Sequence, residues 1–513
     1  MMAAEAVNER SLGRLLTGLA DVAVVDERAL TGLTLDSRRV EPGFAFVALA
    51  GTRGHGLDHL AAALAGGAVA VLVDAAEPRL DAARHHAVAA AGAVLVEVPG
   101  LMRNLGTIAA RFHGRPAEAL ERVTATTGTD GKSSVTHFIA DLRSPHATGG
   151  AGVLGTLGCG RPGALSAPGL TTPDAVALQA TLAELLDQGI SEIALEASSH
   201  GLAQHRLDGT RIDVAILTQL GRDHLDYHAD EASYAGAKAR LFDWPGLQGV
   251  ALNLGDAFGR RLLERVRPHI RRVGYGRGRV PVAPTGTLRA TALEPRPDGI
   301  RCRLHWHNRA QAVTLPLLGT FNVDNALAAV AGLLAAGDRF EEIVAGLEGL
   351  RPVPGRMELF RGSQGPGLVV DYAHNAGALA AVLAALRAHA RGRIGCVFGA
   401  GGDRDRGKRA LMARAAAAGA DQVILTDDNP RSEDPAAIVA DIAAGMPPGT
   451  AYTIEHDRAR AIERAWQDAG PDDLVLVAGK GHETTQVRGE TTVAWSDREA
   501  AAALVGGATG AGR

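Results

Sequence analysis

The chain has 513 residues, 46% of them apolar and 21% charged, with a net charge of -4. A single core rarely grows past roughly 250–300 residues, so several domains are required, and the lack of a basic stripe argues against a nucleic-acid partner. The three cysteines, Cys159, Cys302 and Cys396, lie far apart, which disfavours a disulfide scaffold and fits a reducing compartment.

The N-terminal run "MMAAEAVNERSLGRLL" carries acids and is broken by Arg14, unlike a signal peptide. No uninterrupted apolar run reaches the roughly 20 residues of a membrane helix. A cytoplasmic protein without membrane insertion is therefore expected. Up to about residue 115, apolar runs of strand length ("FAFVAL", "AVAVLV", "AVLVEV") alternate with Ala-rich helical patterns, an α/β signature that ends at the Gly/Pro break in "RFHGRPAEAL". A second region, residues 116–350, opens on "RVTATTG" and contains "SEIALEASS" and "IDVAILTQL", strand-length runs separated by helices, as in a parallel sheet. Residues 280–316 instead read as an antiparallel excursion turning at "PDG". The helical "NVDNALAAVAGLLAAG" follows, and "LRPVPGRMELF" reads as a linker. The third region, residues 351–513, repeats the strand–helix rhythm with "GLVVDYA", "RIGCVFGA", "DQVILTDD" and "DLVLVAG". Three of these strands precede polar or glycine-rich loops, where open parallel sheets bind ligands. The tail "GGATGAGR" reads as frayed.

"VTATTGTDGKSS" joins a strand to the helical "VTHFIADL". A glycine-rich turn there points backbone N–H groups at an anion, and the helix N-terminus adds favourable dipole charge. Lys132 would reach nucleotide phosphates and Ser133 would hold Mg²⁺. The strict pattern wants Gly where Thr126 stands, so a solvated Gly-rich turn is the competing reading. Glu196 ends the apolar "IALE", placed for a second Mg²⁺ ligand or simply a strand-end surface acid. The donors Ser198, His200, Gln204 and Arg206 follow; Arg206 suits a carboxylate. Ser198 with His200 also raises a hydrolase, but no G-x-S-x-G elbow surrounds it. In "LTQLGRDHLDYH", Arg222, Asp223, His224, Asp226 and His228 crowd together. Zinc is the alternative to metal–phosphate duty, without Cys or H-E-x-x-H support. By periodicity alone, Lys238 in "DEASYAGAKARLF" is a solvated lysine on a small amphipathic helix.

Taken in order, "LDSRRVEPGFAFVALAG", "ATTGTDGKSS", "TTPD", "LEASSHGLAQHR", "LTQLGRDHLDYH", "YAGAKARLF", "LGTFNVDNALAA", "PGRMELF", "VVDYAHN", "FGAGGDRDRGKR", "TDDNPRSEDP" and "GKGHETTQ" span nearly the whole chain. The chain resembles the Mur ligases, ATP-dependent amide-forming enzymes of peptidoglycan precursor synthesis. Within them it is most similar to the branch that adds a diamino acid to UDP-N-acetylmuramoyl-L-alanyl-D-glutamate. The resemblance implies three α/β domains: an N-terminal UDP-binding domain (1–115), a central P-loop parallel-sheet ATPase domain with a small antiparallel excursion (116–350), and a Rossmann-like amino-acid-binding domain (351–513). It implies that Leu35 and Ser37 bind the UDP end, with His55 and Gly56 near the pyrophosphate. Gly128, Thr129, Asp130, Gly131, Lys132, Ser133 and Ser134 would form the ATP loop. Thr171, Thr172, Ser198, Gln204 and Arg206 would hold the muramoyl-dipeptide. Asn322 and Asn325 fall on the adenine side, Arg356 and Asp371 near ribose and phosphates, and His374 close by. Arg404, Asp428, Asn429, Pro430, Arg431, Gly479 and Glu483 would form the amino-acid pocket. Lys132, Glu196, His224 and Lys238 would be the catalytic set. The family carbamylates the lysine matched by Lys238, giving an anion that, with Ser133, Glu196 and His224, can serve Mg²⁺.

The implied cofactors are ATP and Mg²⁺, and the implied partners are small-molecule substrates for a monomer. Thr-Asp-Gly-Lys replaces a commoner Asn-containing loop, Gln219 stands for Asn, Leu170 for a polar residue, and "AHNAGAL" for "AHTPDAL". ATP would phosphorylate the D-glutamate γ-carboxylate, and an amine would then displace phosphate; His374 and Glu483 are candidate bases. Arg431 and Arg404 offer forks for the distal carboxylate of meso-diaminopimelate, with lysine and ornithine as alternatives. A folylpolyglutamate synthetase-type ligase, which lacks the first domain, and a non-catalytic nucleotide-binding protein are the rival readings.

Overall fold

A computed structural model describes residues 10–20, 27–51, 54–166, 169–224, 227–362 and 365–507. The extreme N-terminus, Asp226 of the charged run and the tail beyond Gly507 lie outside them. The chain forms two compact units, Met1–Val273 and Gly274–Arg513.

In the first unit, β1 (Gly32–Thr34), β2 (Phe44–Ala48), β3 (Ala70–Asp74) and β4 (Val94–Val98) form a parallel sheet in sequence order. Period-two alternation covers both faces. Ala45, Val47, Ala70 and Leu72 pack into one cluster with Leu101, Leu105, Ile108 and Phe112, the apolar stripe of the helix Leu101–Phe112. Phe46, Ala48, Val71 and Val73 pack into a second cluster with Leu57, Leu60 and Val88.

The same unit carries the central mixed sheet. β5 (Arg122–Thr127) lies between β9 (Glu192–Glu196) and β10 (Val214–Leu217), with β6 (Ala151–Gly155) beyond β9 and β11 (Gly249–Asn253) beyond β10, all parallel. Two short strands, β7 (Gly158–Arg161) and β8 (Ala164–Leu165), add antiparallel outside β6. The neighbours β9, β5 and β10 therefore release three loops side by side at one sheet edge, the carboxyl ends where ligands bind in such folds. Those loops carry the motifs singled out above. The unit boundary falls inside β12 (Arg271–Arg277).

In the second unit, β13 (Gly286–Arg296), β14 (Gly299–Trp306) and β15 (Arg309–Leu315) form the expected antiparallel excursion, turning between Arg296 and Gly299. Its other sheet has the order β16 (Glu358–Phe360), β17 (Gly367–Asp371), β21 (Leu474–Ala478), β18 (Ile394–Phe398), β19 (Gln422–Leu425), β20 (Tyr452–Ile454). All neighbours are parallel except β16. The run read as a linker thus ends as a strand: Glu358–Phe360 pairs antiparallel with β17. A hairpin, β22 (Thr485–Arg488) and β23 (Thr491–Ala494), precedes the helix Asp497–Gly507. At that helix start, the fully buried Asp497 accepts two 2.7 Å bonds from the fully buried Arg458 guanidinium, which also donates to the Asp427 and Ala478 carbonyls. Among the described residues no helix is long and apolar enough to cross a membrane.

Candidate active site

β5 runs into Gly128-Thr129-Asp130-Gly131, and the helix Lys132–Arg143 begins at once. Gly128 has φ +149°, and a Cβ there would lie 1.7 Å from Thr218 Oγ1, so the tight approach of β10's end to the loop requires glycine. Lys132 Nζ donates to the carbonyls of Gly128 (3.1 Å) and Thr129 (2.9 Å). The Gln219 amide donates to the Asp130 carboxylate at 2.9 Å, bringing together two residues that depart from the family pattern.

Ser133 Oγ donates to Glu196 Oε1 at 2.8 Å. Glu196 is buried, and Thr156 adds its backbone N–H (2.9 Å) and hydroxyl (3.1 Å) to the two carboxylate oxygens. The Thr156 hydroxyl lies 3.0 Å from that of Thr171, while Thr172 Oγ1 donates to the Glu196 carbonyl and accepts from the Ser198 N–H. Ser198 caps the helix Ser199–Ala203 through the Gly201 N–H. Arg206 is directed inward: it donates to Gln204 Oε1 (2.6 and 3.0 Å) and to the Thr172 carbonyl (2.6 Å), and the Gln204 amide reaches the Tyr227 hydroxyl. The structure thus brings Thr171, Thr172, Ser198, Gln204 and Arg206 into one hydrogen-bonded group beside Glu196.

Lys238 is not solvated. The helix Glu231–Ala239, started by an Asp230–Ser233 capping box, buries Tyr234 and Lys238. Lys238 Nζ donates to the Gly128 carbonyl at 2.7 Å and sits 4.5 Å above the Tyr234 ring. Desolvation, helped by the nearby Lys132 charge and opposed by Asp223 and Asp130, lowers its pKa to about 7. His224 has φ +54°, is about half exposed, and stacks edge-on against His200 at 4.8 Å. Its Nε2 faces Asp223 at 3.4 Å. Among the described residues no cluster of three or more His, Cys, Asp and Glu side chains could hold a metal ion. The donor set that does converge is Ser133 with Glu196, a hydroxyl and a carboxylate, which suits a hard cation that keeps phosphate and water ligands.

In the N-terminal sheet, Leu35 and Ser37 flank Asp36, which caps the short 3-10 helix Ser37–Arg39 and pairs with Arg38 at 2.8 Å. His55 is buried with both ring nitrogens engaged: Nδ1 accepts from the Leu57 N–H (3.1 Å), and Nε2 faces Glu77 at 2.8 Å. Its imidazole fixes the turn. Gly56 presses on β2, where a Cβ would meet Ala48 Cα at 2.6 Å.

In the second unit, buried Asn322 donates to the Leu318 carbonyl and accepts from Asn325, both at 2.9 Å. Asp371 ends β17 and accepts from the N–H groups of Met357 and Ala373; burial raises its pKa. Arg356 lies 4.9 Å over the Tyr372 ring, and His374 packs edge-on against the same ring at 4.7 Å. Beyond β19, Asp428 approaches Gly479 so closely that a Cβ there would fall 2.6 Å from its carboxylate. Asn429 donates to Glu483 at 2.8 Å. Lys480, fully buried, donates to Glu483 (2.8 Å) and to Asn429 Oδ1 (3.1 Å). Arg431, at φ +53°, donates to the Gly402 carbonyl at 2.8 Å, and a Cβ on Gly402 would meet the Pro430 carbonyl at 1.9 Å. The "GGDRDR" and "DNPR" loops therefore interlock, with Arg404 exposed at their margin.

Sequence reasoning passed over Thr156, Tyr234 and Lys480. Thr156 follows a short strand without a motif, and Tyr234 counted only as an apolar helix position. Lys480 lies inside the quoted "GKGHE", where a lysine between two glycines after a buried strand was the available signal.

Three family descriptions match the chain: the Mur ligase family catalytic domain over residues 29–113, the Mur ligase middle domain over 126–333, and the Mur ligase glutamate ligase domain over 355–481. The UDP-N-acetylmuramoyl-L-alanyl-D-glutamate–2,6-diaminopimelate ligase of Alkalilimnicola ehrlichii is 50% identical over 506 residues, which is 98% of this chain and 99% of that protein. The ligase of the same name from Xanthomonas campestris is 45% identical over 96% of this chain and 97% of its own length. A solved structure of a UDP-N-acetylmuramoyl-L-alanyl-D-glutamate–2,6-diaminopimelate ligase aligns with a TM-score of 0.72 at 34% identity, covering 97% of this chain and 99% of the other.

Proposed function

Because the chain belongs to the Mur ligase family, we infer that it adds meso-2,6-diaminopimelate to the D-glutamate of UDP-N-acetylmuramoyl-L-alanyl-D-glutamate, an ATP-dependent amide ligation of peptidoglycan synthesis. The observation that carries this reading at the level of chemistry is the 2.8 Å contact between Ser133 and Glu196 beside a glycine-rich strand-to-helix loop. That is an anion-binding loop with a hard oxygen pair at its edge.

A carboxylate resists attack by amines because its charge is delocalised. Transfer of the γ-phosphoryl group to a D-glutamate carboxylate oxygen releases ADP and leaves an acyl phosphate. The diamino acid nitrogen then bonds to the carbonyl carbon, the C–O bond to phosphate breaks, and the amine proton passes to a base. In this reading Lys132 lies along the phosphates and stabilises the charge that develops on the transferring group. Ser133 and Glu196 would hold Mg²⁺, with His224 and a carbamylated Lys238 as further partners; the ion, when bound, offsets phosphate charge. Carbamate formation needs a neutral amine to attack carbon dioxide, and the lowered Lys238 pKa supports a large neutral fraction near pH 7. Arg206, Gln204 and Thr172 would shape the acyl side.

Asp428, Asn429, Pro430, Arg431, Gly479, Glu483 and Arg404 would form the amino-acid pocket, Arg431 and Arg404 recognising the distal carboxylate. Asn322, Asn325, Arg356, Asp371 and His374 would serve the adenine, ribose and phosphate side. Leu35, Ser37 and the Gly56 turn would serve UDP, with His55 acting through the turn it fixes. The boundaries 1–115, 116–350 and 351–513 fit the breaks before β5 and β16. The soluble, nucleotide-linked substrates fit a cytoplasmic reaction.

The test is product formation by the purified protein with ATP, Mg²⁺, the UDP-linked dipeptide and each of meso-diaminopimelate, lysine and ornithine, read by mass spectrometry. The expected result is strong preference for meso-diaminopimelate. Preference for lysine or ornithine would overturn the amine assignment, and no ATP-dependent product with any of the three would overturn the reading.

A further inference from the structure

A carboxylate inside a phosphate-binding loop is an electrostatic anomaly. Asp130 stands between Gly128 and Lys132, on the segment whose N–H groups and lysine would meet polyphosphate. A negative charge free to swing there repels the ligand. The structure shows what restrains it. Gln219 Nε2 donates to Asp130 Oδ2 at 2.9 Å, while Thr218 Oγ1 donates to the Asp130 carbonyl at 2.6 Å. In return, the Thr129 N–H donates to the Gln219 carbonyl at 2.8 Å, and the Thr218 N–H to the Thr127 carbonyl at 2.9 Å. The backbone just past β10 is therefore sewn to both sides of Asp130, and the Gln219 side chain is the part of this seam that reaches the carboxylate.

We propose that Gln219 is a positioning residue that holds the Asp130 carboxylate away from the nucleotide phosphates. The pair works as a unit: the acid is tolerated in the loop because the amide binds it, and the amide matters because the acid is there. Length is part of the argument. Asparagine at 219 would be one methylene, roughly 1.5 Å, too short to bridge a 2.9 Å contact from the same backbone. The inference rests on the phosphate-loop reading above.

The test is a double-mutant cycle in the intact protein, with Mg·ATP binding measured by calorimetry and KM and kcat by phosphate release. Gln219→Ala, and Gln219→Asn as a second variant in case the first folds poorly, should weaken ATP about tenfold. The KM for diaminopimelate and kcat should stay nearly fixed. Asp130→Asn should tighten ATP about twofold. In the Asp130→Asn background, Gln219→Ala should cost less than about twofold, which is the coupling the proposal requires. Raising salt should shrink the Gln219→Ala defect, because it is a repulsion between charges. A tenfold loss that persists in the Asp130→Asn background, or one indifferent to salt, would make Gln219 a plain structural support and overturn the proposal. Wild-type protein that binds no ATP would instead remove the phosphate-loop reading itself, and this proposal with it.

Discussion

Replacing Lys238 by methionine should stabilise the first unit while abolishing ligation. The lysine is fully buried, and its pKa falls from 10.5 to about 7. At roughly 1.4 kcal/mol per unit, housing it in the fold at pH 7, where half of it is already neutral, costs roughly 4 kcal/mol relative to the unfolded chain. Against this stands its bond to the Gly128 carbonyl, about 2 kcal/mol for a charged donor. That carbonyl keeps Lys132 as a donor in the variant, so no acceptor is orphaned. The expected net gain at pH 7 is therefore about 2 kcal/mol.

The pH dependence separates this account from simple repacking. The folded-state pKa lies below the unfolded one, so between about 7 and 10.5 the unfolded chain binds more protons. Wild-type stability should rise with pH across that window and stay flat, for this group, below it. The advantage of Lys238→Met should accordingly shrink by about 2 kcal/mol from pH 7 to pH 9. Urea unfolding in metal-free, carbon dioxide-depleted buffer, followed by amide exchange in β5, reads the unit that holds the lysine. An advantage that does not change between pH 7 and 9 would refute the reasoning.

Gly128→Ala should lower ligation at least about 100-fold with little change in far-UV signal, because its Cβ would fall 1.7 Å from Thr218 Oγ1 and push the loop out of register; steady-state kinetics check this. Lys480→Met should raise the KM for diaminopimelate tenfold or more (about 1.5–3 kcal/mol for a lost charged hydrogen bond) and leave the KM for ATP nearly unchanged, since it unties Glu483 and Asn429. Arg458→Met should cost roughly 3–5 kcal/mol by stranding buried Asp497. Thermal melts should show most of that loss recovered in Arg458→Met/Asp497→Leu.

The parallel strands were legible because they are continuous apolar runs buried on both faces: "IALE", "VAIL" and "LVLVA" announce β9, β10 and β21. The antiparallel excursion was legible from its β-rich composition and its "PDG" turn. Strands of three residues, such as β1, β16 and β20, carry too little pattern and exist through their neighbours' hydrogen bonds. For the site, the sequence marked where donors gather but not which way they point. His55 matched a ligand position, yet both its nitrogens serve the protein. Lys238 looked solvated by helical periodicity, because no local pattern reports that its helix turns that face onto the phosphate loop. The Asp130–Gln219 contact joins residues 89 positions apart and appears only once β10 lies beside β5.

The Arg458–Asp497 pair also bears on how the chain is made. Arg458 begins a helix that packs under the second unit's six-stranded sheet, but its countercharge arrives 39 residues later. As the polypeptide leaves the ribosome, that guanidinium must stay hydrated until Asp497 has emerged, since burial alone would cost several kcal/mol. β21, the hairpin and the closing helix must all be present before the unit can consolidate. Chains cut anywhere after Arg458 and before Asp497 should accordingly be held by chaperones or degraded rather than accumulate as a partial domain.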